Sequence, residues 1–155
     1  MLIENLEEIG AELKARIMRL YGRSLHIRAL DSGSCNGCEI ELTQLLSPFH
    51  DLQRFGLDFV ASPRHADALL ITGPVSRNLE GALRDTLRAT PDPKLVIALG
   101  ACACSGGIFG EGYACHGGVD RIAPVDVYIP GCPPRPQAII HGLLLAIDRI
   151  ECRLT

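Results

Sequence analysis

Residues 94–99, KLVIAL, constrain the fold of this chain more than any other stretch. After its first residue the run is apolar at every position, and it ends at Gly100. A short run without a polar face is typical of a strand that is buried on both sides of a parallel sheet. Such a strand needs helices on both faces of its sheet, and the rest of the chain has to supply them.

The other segments alternate between strand and helix patterns. Strand candidates are residues 24–30, 57–60, 66–72 and 126–129, and helix candidates are residues 39–46, 78–89 (with Asn78 as N-cap) and 135–150. Strands that alternate with helices predict an α/β fold with a doubly wound, mostly parallel sheet. Residues 105–124 hold six of the sixteen glycines without a clear period, so we expect a long functional loop there.

Composition and charge exclude several classes of protein. With 155 residues, 47% of them hydrophobic, the chain is long enough for one domain with a core and too apolar to be disordered. A formal charge of −3 argues against nucleic acid as a partner. The start, MLIENLEEIG, has no basic region and no apolar run approaches a membrane span, so we expect a cytoplasmic protein. The mean hydropathy of +0.19 suggests apolar surface that a partner covers.

The first 22 residues predict an amphipathic helix that stops at Gly22. Its apolar residues fall on one stripe at helical spacing: Leu2, Leu6, Ile9, Leu13, Ile17 and Leu20. Two interpretations stay open, because this stripe could pack on its own domain or serve as a docking arm for another subunit. Residues 23–155 are expected to form the single α/β domain.

Seven cysteines carry the functional argument: Cys35, Cys38, Cys102, Cys104, Cys115, Cys132 and Cys152. An odd number in a chain without an export signal is a poor disulfide framework. Small buried hydrophobic residues would be a sufficient explanation for one or two of them, but several lie beside glycine and proline in loops. Metal or cluster binding is therefore the favoured interpretation.

Three of the predicted strands are followed by cysteine loops. Cys35 and Cys38 follow the first strand, Cys102 and Cys104 follow KLVIAL, and Cys132 follows the last strand. Because functional loops gather beyond the carboxyl ends of parallel strands, these cysteines are expected to converge. The C-x2-C pair fits zinc, a redox dithiol or an iron–sulfur cluster. The third and fourth ligands come singly, 64 and 94 residues after Cys38, which favours a cluster in a preformed fold.

Three motifs together resemble a known family. They are Cys35-x-Gly-Cys38-Glu, Gly-x-Cys102-x-x-x-Gly-Gly and Pro-Gly-Cys132-Pro-Pro, and over residues 24–150 the chain is similar to the small subunit of [NiFe] hydrogenases and to the B subunit of complex I. The resemblance implies a flavodoxin-like domain that holds one [4Fe–4S] cluster beside the active-site cavity of a large partner subunit. It implies four iron ligands: Cys35, Cys38, Cys102 and Cys132. Glu41, Gly106 and Gly107 also match, and Cys104 is expected to be a thiol that tunes the cluster without binding it.

Departures from the pattern favour one branch of the family. Complex I subunits have two adjacent cysteines where this chain has Cys35-Asn-Gly-Cys38, and exported hydrogenases have a signal and a second cluster domain. The resemblance is therefore to the short small subunit of membrane-bound, energy-converting hydrogenases of the formate hydrogenlyase or CO-induced type. It implies as partners a large [NiFe]-hydrogenase-like subunit, a polyferredoxin subunit and membrane subunits, on the cytoplasmic face of the inner membrane.

Two alternatives to that function remain open at this point. One is a complex I-like subunit that passes electrons to quinone, and the other is a zinc-stabilised structural module. The sequence contains no nucleophile–base pair and no phosphate-binding loop, so no catalytic residue is assigned and the chain alone is expected to be an electron conduit. Cys115 is interpreted as a spare thiol and Cys152 as structural. Glu39 and Glu41 are either solvated acids or residues that face the partner.

Overall fold

The sheet has five strands, all parallel, in the order β2-β1-β3-β4-β5. A computed structural model describes residues 2–154 of the chain, and the side chains of residues 7–152. The strands are β1 (Leu25–Asp31), β2 (Leu57–Phe59), β3 (Ala68–Thr72), β4 (Leu95–Leu99) and β5 (Val127–Ile129). The strand order reverses between β1 and β3, as in flavodoxin-like folds, so the doubly wound, flavodoxin-like prediction is confirmed.

Within residues 2–154, five helices cover the sheet: α1 (Leu2–Tyr21), α2 (Gly37–Leu45), α3 (Glu80–Ala89), α4 (Gly100–Ser105) and α5 (Pro136–Leu154). Single 3-10 turns lie at Leu52–Phe55, Pro63–His65 and Val119–Arg121. No helix in the described part of the chain is both long enough and apolar enough to cross a membrane.

Two details of the helices differ from the sequence prediction. Asn78 does not cap α3; Leu79 is its N-cap and makes no side-chain hydrogen bond. The backbone N–H groups of Leu79 and Glu80 instead donate to the carbonyl of Ser76. These groups at the start of the helix therefore have a backbone acceptor and need no side-chain cap from Asn78. The short helix α4 was not predicted, because six residues with glycine at the start show no helical period.

The core has two layers, one on each face of the sheet. On one face α1, α2 and α5 pack against the sheet around residues such as Ile27, Leu70 and Ile97. On the other face Leu83 of α3 and Ala103 of α4 pack against alternate residues of β3 and β4. Every residue of β3 and β4 is buried, which is why these strands have no polar face in the sequence.

Helix α1 packs on its own domain. Leu13 and Ile17 are fully buried against the core, and Gly10 lies directly against the ring of Phe55. Arg16 and Arg19 form ion pairs with Asp148 and Glu151 of α5. The side chains of Leu2 and Leu6, which complete the predicted stripe, lie outside the described residues. A docking role for α1 stays a prediction.

Four strands end side by side, and this register positions the functional loops. Asp31 pairs with Thr72, Thr72 with Leu99, and Leu99 with Ile129 across β1, β3, β4 and β5. The loops that follow these strands therefore leave the sheet at the same level and at the same edge.

Candidate metal centre

The structure brings the four predicted ligand cysteines around one cavity. Cys35, Cys38, Cys102 and Cys132 line a space of about 160 Å³ beyond the carboxyl ends of the strands. Cys38 and Cys102 are half-buried, whereas Cys35 and Cys132 are exposed. The described residues contain no group of three or more Cys, His, Asp or Glu side chains set to hold a metal ion. The assignment of the four thiols as ligands therefore rests on the shared cavity.

The loop after β1 is held in shape by its own hydrogen bonds. Oδ1 of Asp31 accepts the backbone N–H groups of Gly33 (2.8 Å) and Ser34 (2.7 Å). The hydroxyl of Ser34 in turn accepts the backbone N–H of Asn36 at 3.1 Å. Asn36 has a φ of +69°, in the left-handed region that asparagine tolerates. This turn carries the chain from Cys35 into α2, which begins one residue before Cys38.

A buried serine joins the first cysteine loop to the segment after β3. The hydroxyl of Ser32 donates to the carbonyl of Thr72 (2.6 Å) and lies 3.1 Å from that of Gly73. The backbone N–H of Ser76 donates to the carbonyl of Ser32 at 2.9 Å. Ser32 is fully buried, so these bonds fix the loop where water cannot compete for them.

Gly100 makes room for the Cys38 thiol. A Cβ added at Gly100 would lie 2.6 Å from Sγ of Cys38, and the φ of Gly100 is +89°, which L side chains rarely adopt. The next backbone N–H, of Ala101, donates to the carbonyl of Gly131 at 2.7 Å and so ties the Cys102 helix to the Cys132 loop. Gly100 is the first glycine of the Gly-x-Cys102 motif, but the sequence assigned it no role in the site.

The side chains of Cys102 and Cys104 line two separate cavities. An extended segment would have pointed both side chains the same way, but residues 100–105 are helical, and two residues correspond to about 200° of helical rotation. Cys102 lines the four-cysteine cavity, with Gly107 close to its thiol and the N–H of Gly106 donating to its carbonyl at 2.7 Å. Sγ of Cys104 lies 3.6 Å from the carbonyl of Ala98.

Cys104 lines a separate polar cavity of about 250 Å³ with His116 and Asp120. A role for Cys104 as a thiol that tunes the cluster stays a prediction. Glu41, Cys115 and Cys152 do not line the four-cysteine cavity. Glu41 is half-buried on α2, and Cys115 forms an isolated bridge with Ser76. Cys152 is exposed on α5, so the structural role suggested by the sequence finds no core packing there.

The electrostatics of the cavity disfavour free thiolates. Burial raises the pKa of the Cys38 thiol to about 12, and negative charge on Glu39 and on the other three thiols adds to the effect. Burial also raises the pKa of Cys102, helped by Cys132 and Cys35. Among the described residues that line the cavity there is no Lys, Arg or His. Thiolates here would therefore need the positive charge of a bound metal group.

The family follows from a comparison with known proteins. Residues 35–146, which run from the first cysteine to the middle of α5, match the family model described as NADH ubiquinone oxidoreductase, 20 Kd subunit. This chain belongs to that family. The 20 Kd subunit family includes subunits of both hydrogenase and NADH–quinone oxidoreductase complexes, as the following relatives show.

Three relatives represent the two branches. A probable membrane-bound hydrogenase subunit of Pyrococcus furiosus is 48% identical over 88% of this chain and 81% of the relative. Formate hydrogenlyase subunit 7 of Escherichia coli is 46% identical over 96% of this chain, which spans only 58% of that relative. An NADH-quinone oxidoreductase subunit of Citrifermentans bemidjiense is 49% identical over 73% of this chain and 66% of the relative. The relatives are thus subunits of oxidoreductase complexes.

Solved structures support the same family and fold. A chain of the membrane-bound sulfane sulfur reductase, an archaeal respiratory membrane complex, superposes with a TM-score of 0.74 and 38% identity. The match covers 91% of this chain and 77% of that one. A chain of an NAD+-reducing [NiFe]-hydrogenase gives a TM-score of 0.62 at 22% identity, over 79% of this chain and 92% of that one, and shares the fold.

Proposed function

We propose that this chain is the electron-transfer subunit of a membrane-bound hydrogenase complex, in which it holds one [4Fe–4S] cluster beside the [NiFe] site of a large partner subunit. The observation that carries the proposal is the single cavity lined by Cys35, Cys38, Cys102 and Cys132. These thiols come from three loops that are far apart in sequence. A fold that gathers four thiols at one edge of its sheet has a site suited to a cluster.

The size of the cavity favours a cluster over a zinc ion. The cavity between the cysteine loops has a volume of about 160 Å³. Four thiolates around zinc close to about 2.3 Å from a single ion, which leaves no such space at the centre. A group of several iron and sulfide atoms suits the cavity better, and its positive iron charge supplies what the buried thiols lack.

The residues of this chain would bind the cluster, hold its loops in shape and leave one side of it open to a partner. When bound, the cluster supplies reversible one-electron transfer. Cys38 and Cys102 would hold it from the protein side, where Gly100 and Gly107 leave room for their sulfurs. The Ser32 and Asp31 hydrogen bonds keep the first loop rigid, so little rearrangement is needed when an electron arrives. Cys35 and Cys132 are exposed, so a partner's redox centre would approach the cluster from this side.

The hydrogenase branch is favoured by the cysteine pair. The chain has Cys35-Asn-Gly-Cys38 rather than adjacent cysteines, and its hydrogenase relatives match nearly the whole chain. A complex I-like subunit that passes electrons to quinone is the second candidate, because the quinone oxidoreductase relatives match at similar identity. We further propose a polyferredoxin subunit and membrane subunits as partners, with the complex on the cytoplasmic face of the inner membrane.

The test is to purify the complex through a tag on this chain and to analyse its metals and its electron donors. We expect a large subunit that contains nickel, and a cluster that H2 reduces. Absence of nickel, with reduction by NADH or quinol but not by H2, would assign the chain to the complex I-like function. Zinc bound to this chain, without acid-labile sulfide, would overturn the cluster itself.

A further inference from the structure

The first turn of α2, which carries Cys38, lacks the side-chain cap that usually holds the start of a helix. Asn36 is the N-cap residue, and its side chain makes no capping hydrogen bond. A glutamate at the third position of a helix often accepts the backbone N–H of the N-cap residue. Here that N–H donates to the hydroxyl of Ser34 at 3.1 Å. Glu39 occupies the third position, so its carboxylate is not used to cap the helix.

The carboxylate of Glu39 is turned into the protein. Oε1 accepts the hydroxyl of Thr72, the last residue of β3, which is 1% exposed. The other acceptor near this hydroxyl, the carbonyl of Leu30, lies farther away at 3.4 Å. Oε2 is buried and has no hydrogen-bond partner among the described residues, so Glu39 is not the fully solvated acid that the sequence allowed. Burial of this oxygen costs free energy, and the bond to Thr72 offsets part of that cost.

Thr72 holds both ends of the segment that contains Cys35 and Cys38. Its carbonyl accepts the backbone N–H of Ser32 at 2.9 Å and the hydroxyl of Ser32 at 2.6 Å, and its own hydroxyl donates to Glu39. Ser32 precedes Cys35 and Glu39 follows Cys38 in the sequence. Thr72 itself lies in the middle strand of the sheet, between β1 and β4. Both contacts therefore anchor the cysteine pair to the centre of the fold.

We propose that Glu39 and Thr72 are positioning residues for Cys38. Their hydrogen bond sets where the first turn of α2 lies on the sheet, and thereby where the Cys38 thiol lies in the four-cysteine cavity. The thiol has little room for error, since a Cβ at Gly100 would lie 2.6 Å from its sulfur. The proposal rests on the proposed function only in that the four cysteines hold a cluster, whereas the hydrogen bond itself belongs to the fold.

The test compares two pairs of variants in the purified complex. Thr72→Val removes the hydroxyl and keeps the shape of the side chain, whereas Thr72→Ser keeps the hydroxyl. Glu39→Leu removes the acceptor, whereas Glu39→Gln keeps one. Thr90→Val is the matched control. Thr90 is 2% exposed, and its hydroxyl donates to the carbonyl of Thr86 at 2.9 Å, at the end of α3 that precedes β4.

We expect Thr72→Val and Glu39→Leu to release iron to a chelator about tenfold faster than the wild type, the factor that corresponds to about 1.4 kcal/mol. Both variants should change the EPR spectrum of the reduced cluster in the same way, and should speed hydrogen–deuterium exchange in the first turn of α2 by a similar factor. The double variant should show no larger change than either single variant, because both substitutions remove the same bond. Thr72→Ser, Glu39→Gln and Thr90→Val should keep the wild-type values.

Wild-type iron release, EPR spectrum and exchange in both Thr72→Val and Glu39→Leu would overturn the proposal. Additive effects in the double variant would also overturn it, since the two residues would then act separately. Faster exchange in α2 with an unchanged EPR spectrum would overturn it too, because the bond would then stabilise the helix without positioning Cys38. A wild-type chain without iron and sulfide would contradict the proposed function instead, and the exchange measurement would still decide whether the bond holds the turn that carries Cys38.

Discussion

Gly100 shows how much a cysteine site depends on the residues that leave space for sulfur. Replacement by alanine should displace Sγ of Cys38, since the added Cβ would lie 2.6 Å from it. The positive φ of +89° adds strain to that collision. We expect Gly100→Ala to lose more than half of its bound iron and about 2 kcal/mol or more of stability.

The matched control for Gly100→Ala is Gly81→Ala. Gly81 is an exposed glycine of α3 with open space around it, where alanine should stabilise the helix by about 0.5–1 kcal/mol. The measurement is iron per chain together with thermal stability. Full iron content in Gly100→Ala would mean that Cys38 is not held where the structure places it.

Tyr21, at the end of α1, links stability to pH. Burial raises its pKa to about 12, nearby Asp67 adds to the rise and Arg23 opposes it. Because the folded pKa lies above the ordinary value of 10.0, the unfolded tyrosine ionises before the folded one, and the free energy of unfolding falls as pH rises from about 10 toward 12. The hydroxyl has no hydrogen-bond partner among the described residues, so it contributes nothing that phenylalanine would lack.

We therefore expect Tyr21→Phe to stabilise α1 by about 1 kcal/mol at pH 8 and by more at pH 11. Hydrogen–deuterium exchange of α1 amides in the purified complex measures the effect. Faster exchange in Tyr21→Phe at pH 8 would reveal a bond to the hydroxyl and contradict the expectation.

At the scale of elements, the strands and long helices follow from the sequence, whereas short elements do not. The KLVIAL run became β4 because a strand buried on both faces has to be apolar throughout. Helix α4 was missed because its existence depends on the left-handed turn at Gly100 and on packing of Ala103, not on a repeating pattern.

In the cysteine site, too, some features follow from the sequence pattern and others depend on contacts between distant segments. Convergence of the four cysteines was predictable, because parallel strands end at one edge and each cysteine loop follows a strand. The space left by Gly100 and the unpaired oxygen of Glu39 were not predictable, because each depends on which side chains from separate loops meet in three dimensions.

The contact between α1 and the Leu52–Phe55 turn is tight enough to test by one added methyl group. A Cβ at Gly10 would overlap the ring of Phe55, which is buried. We expect Gly10→Ala to weaken the docking of α1 by about 1–3 kcal/mol, measured by protease cleavage after α1 in the complex. Phe55→Leu in the same chain should restore part of the loss. Resistance equal to wild type in Gly10→Ala alone would show that α1 does not pack there.

At the scale of the whole molecule, apolar residues are exposed on the glycine-rich loop beside the cysteine site. Ile108 is 90% exposed and Tyr113 is 95% exposed, and the loop starts at the end of α4. An isolated chain with this surface is expected to aggregate, since exposed apolar patches drive association. We predict that Ile108→Ser with Tyr113→Ser improves solubility without the partner and reduces co-purification with it. A wild-type chain that stays monomeric at high concentration would contradict this.

The most direct test of the four-cysteine cluster site compares Cys102→Ser with Cys104→Ser in the complex. The measurements are the iron content and the EPR spectrum after reduction with H2. The two cysteines share one short helix, but only Cys102 lines the four-cysteine cavity. We predict that Cys102→Ser loses about four iron atoms and the EPR signal of this cluster, while Cys104→Ser keeps the iron and changes the signal only modestly. Loss of iron and signal in Cys104→Ser, with Cys102→Ser unchanged, would contradict the assignment.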